Sequence, residues 1–461
     1  INTVLLQTRV RATTIYPSDM EPWDGCLSGH PGTSPGYDAL RFAVEECHRR
    51  GMELHAWVVT IPVGRWNATG CKRLRARYPQ LVRKIGDEGF MNPERPETAD
   101  YLARMCREIV QNYDVDGIHL DYIRYPETWT IRVSREEGRR NITRIVRKIH
   151  DAVKPLKPWV KMSCSPVGKF DDLTRYWSHG WNAYTTVCQD AQGWLRDGLM
   201  DELFPMMYFK GDQFFPFALD WQENSHGRIV APGLGIYFMS PKEKDWPIDI
   251  IRREMHVLRR NGLGHAYFRS KFFTDNVKGV FDLAKDEITP YPALVPPMTW
   301  QSDRKPMAPQ TLSVRHTDRG DALSWDGASD RSDGPYLTYN IYAADRYPVD
   351  TQDPRTLIAV KRRENTLYVP ATANGCRPAY YAVTAIDRYG NESAPTSNGM
   401  PAHTSALPLL HNDGHRLSLP KKDATTDASH IVIEDLQGRM LATRPYRDTK
   451  ADITTLPDGM Y

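Results

Sequence analysis

Apolar residues follow two alternating periods along residues 1–287. Short runs of strand length are followed by stretches in which apolar residues recur every three or four positions. Residues 37–51 show the helical period, because Leu40, Val44 and Cys47 share one face. Repeated alternation of these two patterns predicts an α/β fold with a parallel sheet.

Seven strands and five helices are predicted in this part of the chain. The strands are expected at residues 2–9, 53–59, 116–121, 159–165, 203–208, 229–237 and 264–269. The helices are expected at residues 37–51, 98–112, 134–153, 184–197 and 248–261, the third with Ser134 and Glu137 at the spacing of a capping box. The repeat predicts a (β/α)8 TIM barrel, which needs eight strands, so we infer that one strand–helix unit precedes Ile1 and lies outside this sequence. The alternative is an open, doubly wound sheet.

The pattern changes after residue 287. Residues 288–305 are rich in proline, which predicts a linker between the barrel of residues 1–287 and the rest of the chain. Residues 306–402 carry short strands at the spacing of an all-β sandwich. Trp325 and the segment 381–393 there resemble a fibronectin type III domain. Residues 403–461 predict a further small β domain.

Composition narrows the class of protein. With a net charge of +3 and 25% charged residues, bulk electrostatics do not indicate a nucleic acid or an acidic membrane as partner. No apolar run approaches the length of a transmembrane helix. The chain starts at Ile1, which suggests a trimmed, exported product whose signal peptide is outside this sequence. The seven cysteines are scattered without metal-ligand spacing, so we expect mostly buried free thiols and no metal site.

Polar and aromatic residues occur at or near the ends of the predicted strands. In a barrel, the C-terminal ends of the strands and the loops after them form the active site. Trp and Tyr rings at such positions can stack on sugars, and the long loop of residues 16–29 has the turn-rich character of a binding loop. The predicted substrate-binding residues are Gln7, Arg9, Trp23, His55, Trp57, His119, Tyr122, Arg124, Tyr208, Tyr237 and Arg269.

Asp121 is the strongest candidate for catalysis, because it ends an apolar strand and is followed by Tyr122 and Arg124. Glycoside hydrolysis needs two carboxyl groups, one as acid and the other as nucleophile or base. We assign the nucleophile or base role to Asp121. The acid is either Glu127, whose pKa aromatic neighbours are expected to raise, or Asp190. The alternative is that Asp121 forms a structural ion pair with Arg124 or Arg9.

Several stretches of residues 1–287 resemble the glycosyl-hydrolase-like family ten of bacterial (β/α)8 proteins. They are residues 2–9, 16–18, 22–23, 35–40, 45–57, 92–93, 116–126 and 194–201. The resemblance implies a glycosidase, in one branch acting on peptide-free peptidoglycan strands. Two departures bear on the substrate, because Tyr122 stands where many members have a second Asp and residues 59–63 replace a more usual Asn-Pro-Tyr-Arg loop. Residues 430–439 and 451–461 resemble the C-terminal sorting domains of secreted Bacteroidetes proteins, without their last strand.

The sequence therefore predicts a secreted, periplasmic or cell-surface glycoside hydrolase. Its expected substrate is a bacterial or host glycan with N-acetylhexosamine or related sugars. No cofactor is expected, since the sequence shows no P-loop or dinucleotide fingerprint. The alternatives are a non-catalytic carbohydrate-binding barrel and a cell-surface scaffold that binds through its fibronectin-like domain. The oligomeric state, the linkage and the stereochemical outcome stay open.

Overall fold

The computed structural model describes residues 1–332, 334–372 and 375–399, together with four short strands beyond residue 399. The chain divides into two compact units, Ile1–Gly399 and Met400–Tyr461. The first unit holds an α/β part, residues 1–288, and an all-β part that follows it. The predicted small domain of residues 403–461 falls mostly outside the described residues.

The α/β part alternates strands and helices as its sequence pattern predicts. Its strands are β1 (Thr3–Arg9), β2 (Glu53–Val59), β3 (Pro62–Arg65), β4 (Val82–Ile85), β5 (Glu88–Met91), β6 (Gly117–Asp121), β7 (Lys161–Cys164), β8 (Glu202–Leu203), β9 (Met206–Met207), β10 (Ile229–Val230), β11 (Gly233–Leu234) and β12 (Ala266–Tyr267). Its helices are α1 (Gly25–Ser28), α2 (Ala39–Arg49), α3 (Thr69–Arg77), α4 (Pro96–Asn112), α5 (Arg135–Val153), α6 (Ala191–Arg196), α7 (Phe215–Glu223), α8 (Ile248–Arg260), α9 (Ser270–Thr274) and α10 (Val280–Asp282), and a π-helical segment (Leu283–Ile288) ends this part.

Nine of these strands form a wall of parallel strands. One sheet has the order β1-β2-β6-β7-β8-β10 and the other the order β9-β11-β12, with parallel pairing throughout. Each strand pairs with its successor along the wall, whereas a doubly wound sheet reverses direction at a switch point. The structure therefore differs from the doubly wound alternative. Within residues 1–288 no ladder joins β12 to β1, so closure into an eight-stranded barrel stays a prediction.

Two prolines split the predicted strands 203–208 and 229–237. Pro205 separates β8 from β9, and Pro232 separates β10 from β11. Proline has no N–H and cannot donate to a ladder, although its carbonyl can still accept. Accordingly, Gly233 donates to the Pro205 carbonyl at 2.8 Å and Ala266 to the Pro232 carbonyl at 2.9 Å. Each pair of short strands thus continues one wall position, giving the seven positions that the sequence predicts.

The helices cover the outside of this wall and start where capping side chains allow. Ser134 precedes α5 and accepts from the Glu137 backbone N–H at 3.1 Å, as the capping box predicts. The buried faces of α2, α4 and α5 pack with the strands into one apolar core. The five helices predicted from the sequence are present, but the fourth is much shorter than residues 184–197.

The shortened helix is a correction, since only α6, Ala191–Arg196, is helical in that stretch. Upstream of it the Asn182 side chain accepts from the backbone N–H groups of Thr185 and Thr186 at 2.9 and 3.3 Å, which holds a turn instead of a helix. Cys188 has a positive φ of 58°. The antiparallel sheet β3-β5-β4 between β2 and α4 was also not predicted, because its strands are only four residues long.

The all-β part consists of two antiparallel sheets packed face to face. Its strands are β13 (Leu312–Thr317), β14 (Gly320–Trp325), β15 (Thr338–Ala344), β16 (Leu357–Arg362), β17 (Thr366–Pro370), β18 (Tyr380–Ile386) and β19 (Thr396–Ser397). The sheets have the orders β13-β14-β17 and β16-β15-β18-β19. Trp325 of the first sheet packs against Tyr339 of the second, in a core shared by both. We refer to this part as the sandwich.

The second unit contains two antiparallel strand pairs among its described residues. They are β20 (Arg416–Ser418) with β23 (Lys450–Asp452), and β21 (His430–Glu434) with β22 (Met440–Pro445). In the first unit all seven cysteines are free, and five of them are buried, which confirms the expectation from the sequence. None of the helices in the described ranges is both long and apolar enough to cross a membrane.

Candidate active site

Asp121 is the last residue of β6 and lies at the C-terminal edge of the parallel wall. Its carbonyl accepts from the N–H of Thr60 at 3.0 Å and from the Thr60 hydroxyl at 2.8 Å. One carboxylate oxygen, Oδ1, accepts from the Tyr122 backbone N–H at 2.8 Å, and Oδ2 accepts from Trp57 Nε1 at 3.1 Å. Tyr122 has a φ of 52°, so the chain turns sharply directly after the carboxyl group. These contacts fix Asp121 in one orientation.

The environment of Asp121 raises the pKa of its carboxyl group. Only 6% of the residue is exposed, and burial raises its pKa to about 6. The Tyr122 N–H, the charge of Arg124 and the Trp57 N–H lower the pKa, but they do not offset the burial. The group is therefore poised to exchange a proton near neutral pH.

A row of paired residues crosses the wall just below Asp121. The strand register places Gln7 beside Trp57, Trp57 beside His119, and His119 beside Ser163. Both ring nitrogens of His119 are hydrogen-bonded, Nδ1 to the Ser163 hydroxyl at 3.0 Å and Nε2 to the Ser165 hydroxyl at 2.6 Å. Burial and the nearby His55 lower the pKa of His119 to about 3, so it is a neutral, positioned ring. Of this row Gln7 is exposed and Trp57 half-buried.

A cluster of half-buried aromatic rings adjoins Asp121. Tyr208 stacks on Phe268 with centroids 5.3 Å apart and meets Tyr237 edge-on at 5.7 Å. Phe268 also lies 6.5 Å from the Trp57 ring. Burial, followed by the charge of Asp121, raises the pKa of Tyr208 well above its usual value. The structure therefore brings together Trp57, Tyr208 and Tyr237, three of the predicted sugar-binding residues, around one carboxyl group.

Arg124 links Glu127 to this group. The guanidinium is almost fully buried, donates from Nη2 to Glu127 Oε1 at 2.7 Å, and lies 4.6 Å from the Tyr122 ring and 5.5 Å from the Trp181 ring. Partial burial raises the pKa of Glu127, but the hydrogen bond and charge of Arg124 outweigh it and lower the pKa overall. The expectation that aromatic neighbours raise the pKa of Glu127 is therefore wrong.

Asp190 has a structural role in addition to any chemistry. It caps α6 by accepting from the Gly193 backbone N–H at 3.1 Å. Burial raises its pKa, against the effect of that N–H. In the described part of the chain no hydrogen bond or ion pair joins Asp190 to Asp121. A side chain at Gly193 would lie 2.5 Å from the Asp190 carboxylate, so the cap also requires glycine there.

The predicted substrate-binding residues Arg9, His55 and His119 are buried, which corrects the prediction. Arg9 is 0% exposed; its guanidinium pairs with Glu21 at 2.7 Å and donates to the carbonyls of Val59 and Thr60. His55 is also 0% exposed and points into the wall, next to Glu53. Alternate residues of a strand face opposite sides or successive layers, and strand position alone did not identify the layer.

The remaining two predicted residues are Trp23 and Arg269, and Arg269 directly follows Phe268 of the aromatic group in the chain. Trp23 lines a pocket formed by the loop after β1 and by α3. Arg269 is exposed, with its guanidinium 5.5 Å from the Phe272 ring. The sequence reasoning missed Thr60, Phe268 and Trp181. For Trp181 a signal was present, because a Trp in a long loop before a cap is a binding-loop feature, but the stretch after it was predicted as helix.

Among the described residues no group of three or more His, Cys, Asp or Glu side chains is arranged to hold a metal ion. The polar groups at this edge of the wall are instead carboxyl, hydroxyl, guanidinium and aromatic. Together they can transfer a proton, bind hydroxyl groups and stack on sugar faces.

The chain belongs to the glycosyl hydrolase-like 10 family, whose model matches residues 1–240. This confirms the family resemblance drawn from the sequence. Glycosyl hydrolase YngK of Bacillus subtilis is 28% identical over 437 residues, covering 85% of this chain and 84% of that protein. Glycosyl hydrolase DigH of Escherichia coli is 31% identical over 240 residues, covering 45% of this chain and 55% of that protein.

Among solved structures, α-L-fucosidase isoenzyme 2 from Paenibacillus thiaminolyticus aligns with a TM-score of 0.43 at 12% identity, covering 84% of this chain and 69% of that one. That likeness is too distant to bear on the site.

Proposed function

We propose that this protein is a glycoside hydrolase in which Asp121 is the proton-exchanging carboxyl group. The observation that carries the proposal is the pKa of Asp121, raised by burial to about 6 at the end of a wall strand. General acid catalysis is most effective when the pKa of the acid is close to the working pH. The names of the relatives YngK and DigH, both glycosyl hydrolases, support the same class of reaction.

The second carboxyl group is Glu127 in this proposal, with the roles reversed from those expected from the sequence. Arg124 lowers the pKa of Glu127, while burial raises that of Asp121. Two carboxyl groups whose environments separate their pKa values divide into an acid and an ionised partner. Asp121 is then the acid and Glu127 the ionised base or nucleophile, with Asp190 as the alternative partner.

The substrate is a glycan in this proposal, bound across the rings of Trp57, Tyr208 and Tyr237. Peptide-free peptidoglycan strands and other N-acetylhexosamine polymers are the candidates that the family resemblance suggests. The sandwich is proposed to be a fibronectin type III domain, which its division into three- and four-stranded sheets supports. Export to the periplasm, cell surface or medium is proposed as well, from the sequence alone.

The experiment is a product assay on a panel of glycans that includes peptide-free peptidoglycan, with wild type and Asp121→Asn. We expect reducing ends from the wild type and a loss of about 10²–10⁴-fold in turnover for the variant, with glycan binding retained. Asp318→Asn, an exposed residue of the sandwich, is the matched control and should keep full activity.

One observation favours a non-catalytic glycan-binding protein instead, because Arg124 already binds the carboxylate of Glu127. Asp121 then has no free carboxylate as its partner in the described contacts. The same assay separates the two functions. Glycan that binds to the wild type without any product supports the binding protein. Equal turnover by wild type and Asp121→Asn shows that another group is the acid.

A further inference from the structure

A pocket lies between the loop after β1 and helix α3, and its lining residues differ from those around Asp121. Its volume is about 330 Å³, which is in the range of pockets that bind small ligands. Trp23 and Tyr78, both half-buried, line its walls, and Arg73 and Arg77 stand at its rim. The loop and the helix both follow the C-terminal ends of wall strands, β1 and β2, so the pocket opens at the same end of the wall as Asp121.

The two arginines carry positive charges and have no ion-paired partner among the described residues. They are four residues apart on α3 and therefore share one face of the helix. Both are exposed, and in the described part of the chain neither forms a hydrogen bond or an ion pair. Arg77 only lies over the Tyr78 ring, at 5.4 Å. Guanidinium groups bind carboxylate and sulfate oxygens in a bidentate manner, so this rim is suited to an anionic group.

The acidic residues that line the pocket do not place a free negative charge at the centre of the pocket, where it would repel an anionic ligand. Glu21 forms part of the lining but is 5% exposed. Its carboxylate is already bound by Arg9 at 2.7 Å and by the Tyr101 hydroxyl at 3.0 Å, which neutralises it. Asp19 is exposed at the rim, where its carboxylate can accept from sugar hydroxyl groups.

A chain of buried contacts connects this pocket to the candidate active site. Glu21 of the pocket binds Arg9, and Arg9 donates to the Thr60 carbonyl at 3.0 Å. Thr60 in turn holds the backbone of Asp121 by two hydrogen bonds. The lining of the pocket is thus linked to the backbone of Asp121 through two buried side chains, those of Arg9 and Thr60.

We propose that this pocket binds an anionic sugar residue of the glycan whose other residues occupy the Asp121 site. The aromatic walls receive the sugar face, and the two arginines receive its carboxylate or sulfate. The inference rests on the proposed function for the identity of the polymer, but not for the existence of the pocket. It predicts a preference for acidic over neutral glycans.

The test is calorimetric binding of three tetrasaccharides, one carboxylated (tetragalacturonate), one sulfated and one neutral (cellotetraose). The proteins are full-length wild type and the double variant Arg73→Ala, Arg77→Ala. We expect the double variant to bind an acidic tetrasaccharide about tenfold more weakly, with the neutral one unchanged. Raising the salt concentration should weaken the binding of the acidic ligands to the wild type but not to the variant, because salt screens the exposed charges at the rim.

The matched control is the double variant Arg147→Ala, Arg315→Ala, which removes two exposed arginines outside the pocket and should bind as the wild type does. The carboxylated and sulfated arms identify which anion is preferred. The proposal is overturned if the wild type binds neither acidic ligand better than the neutral one, or if both double variants bind equally.

The failure of the proposed function gives a different result. If the wild type cleaves no glycan, and the variant lacking Arg73 and Arg77 still binds the acidic ligand more weakly than the wild type does, the pocket proposal holds and the hydrolase proposal fails. If it cleaves glycans and the pocket variant has an unchanged KM on acidic substrates, the hydrolase stands and the pocket does not.

Discussion

At the scale of single residues, burial decides what a strand-end carboxylate can do. Asp121 ends β6, Glu127 lies in the loop after it, and the charge of Arg124 acts on both, yet the pKa of the first is raised and that of the second lowered. The difference arises because Asp121 is 6% exposed while Glu127 is exposed and directly bonded to the guanidinium. The sequence identified both residues, since the strand-end pattern is local. It could not give their environments, which depend on rings from β2 and from the loops after β9 and β12.

The hydrogen bond from Trp57 Nε1 gives a direct test of the pKa of Asp121. This donor favours the ionised carboxylate, so Trp57→Phe should raise the pKa of Asp121 by about one unit above 6. If Asp121 is the acid, kcat/KM falls as pH rises through that pKa. The alkaline limb of the pH profile should then move to higher pH in the variant.

Carboxyl ¹³C NMR measures the same shift without depending on activity. Trp66→Phe is the matched control, because Trp66 lies under Arg75 at 4.2 Å and not on Asp121. An unchanged titration of Asp121 in Trp57→Phe would contradict the proposed balance of burial and hydrogen bonding.

At the scale of elements, local signals gave the strands and the helix starts. Hydrophobic period and capping residues, such as Ser134 before α5, act within a few positions of the chain. The splitting of two strands was also readable from Pro205 and Pro232, although the strands were predicted as continuous. The late start of α6 was not predicted, because the turn at Asn182 depends on side-chain hydrogen bonds that compete with the helix.

Glu254 is an exception to the amphipathic pattern of α8. It lies on the buried face with Ile251, Met255 and Leu258, is 1% exposed, and has no hydrogen-bond partner for either carboxylate oxygen among the described residues. Burial raises its pKa from 4.5 to about 9. We expect Glu254→Met to increase the free energy of unfolding by about 1–3 kcal/mol at pH 7, because an unsatisfied buried carboxyl group is removed.

The pH dependence gives the sign of this effect. Since the pKa of Glu254 is higher in the folded protein, the wild type loses stability as pH rises from about 4.5 to about 9. The advantage of Glu254→Met should therefore be larger at pH 8 than at pH 5 in urea unfolding. Glu45→Met, an exposed position of α2, is the control. An equal advantage at both values of pH would contradict the raised pKa.

At the scale of the whole first unit, ionic contacts join the sandwich to the N-terminal end of the parallel wall. Lys361 of the sandwich reaches Glu53 inside the wall at 2.8 Å. Arg388 contacts Asp114 at 3.1 Å and Asp116 at 3.2 Å, just before β6. These contacts lie at the opposite end of β6 from Asp121. The sequence could not reveal them, because they join residues more than 250 positions apart.

The close packing at Gly51 also shows that the sandwich contacts the α/β part directly. A side chain there would lie 2.4 Å from the Val360 carbonyl oxygen, so the α/β part and the sandwich approach each other closely at this point. Deleting the sandwich would therefore remove Lys361 from Glu53 and Arg388 from Asp116. A loss of activity in such a deletion would not by itself show that the sandwich binds glycan.

Single substitutions in this interface are a more direct measurement. Arg388 has a side chain only 9% exposed, and its removal leaves Asp116, 12% exposed, without that cation. We expect Arg388→Met to lower the free energy of unfolding by about 3 kcal/mol, as found when one partner of a buried ion pair is removed. Arg315→Met, at an exposed position of the same sandwich, should change it little.

The shape of the unfolding curve decides whether the barrel and the sandwich unfold together. If their ionic contacts couple them, residues 1–399 unfold in one transition, and Arg388→Met moves the whole transition to lower urea. Two transitions, with the barrel midpoint unaffected by Arg388→Met, would show that the sandwich is an independent spacer. Because Asp121 lies at the far end of β6, turnover of the folded variant should be unchanged, which separates this effect from a catalytic one.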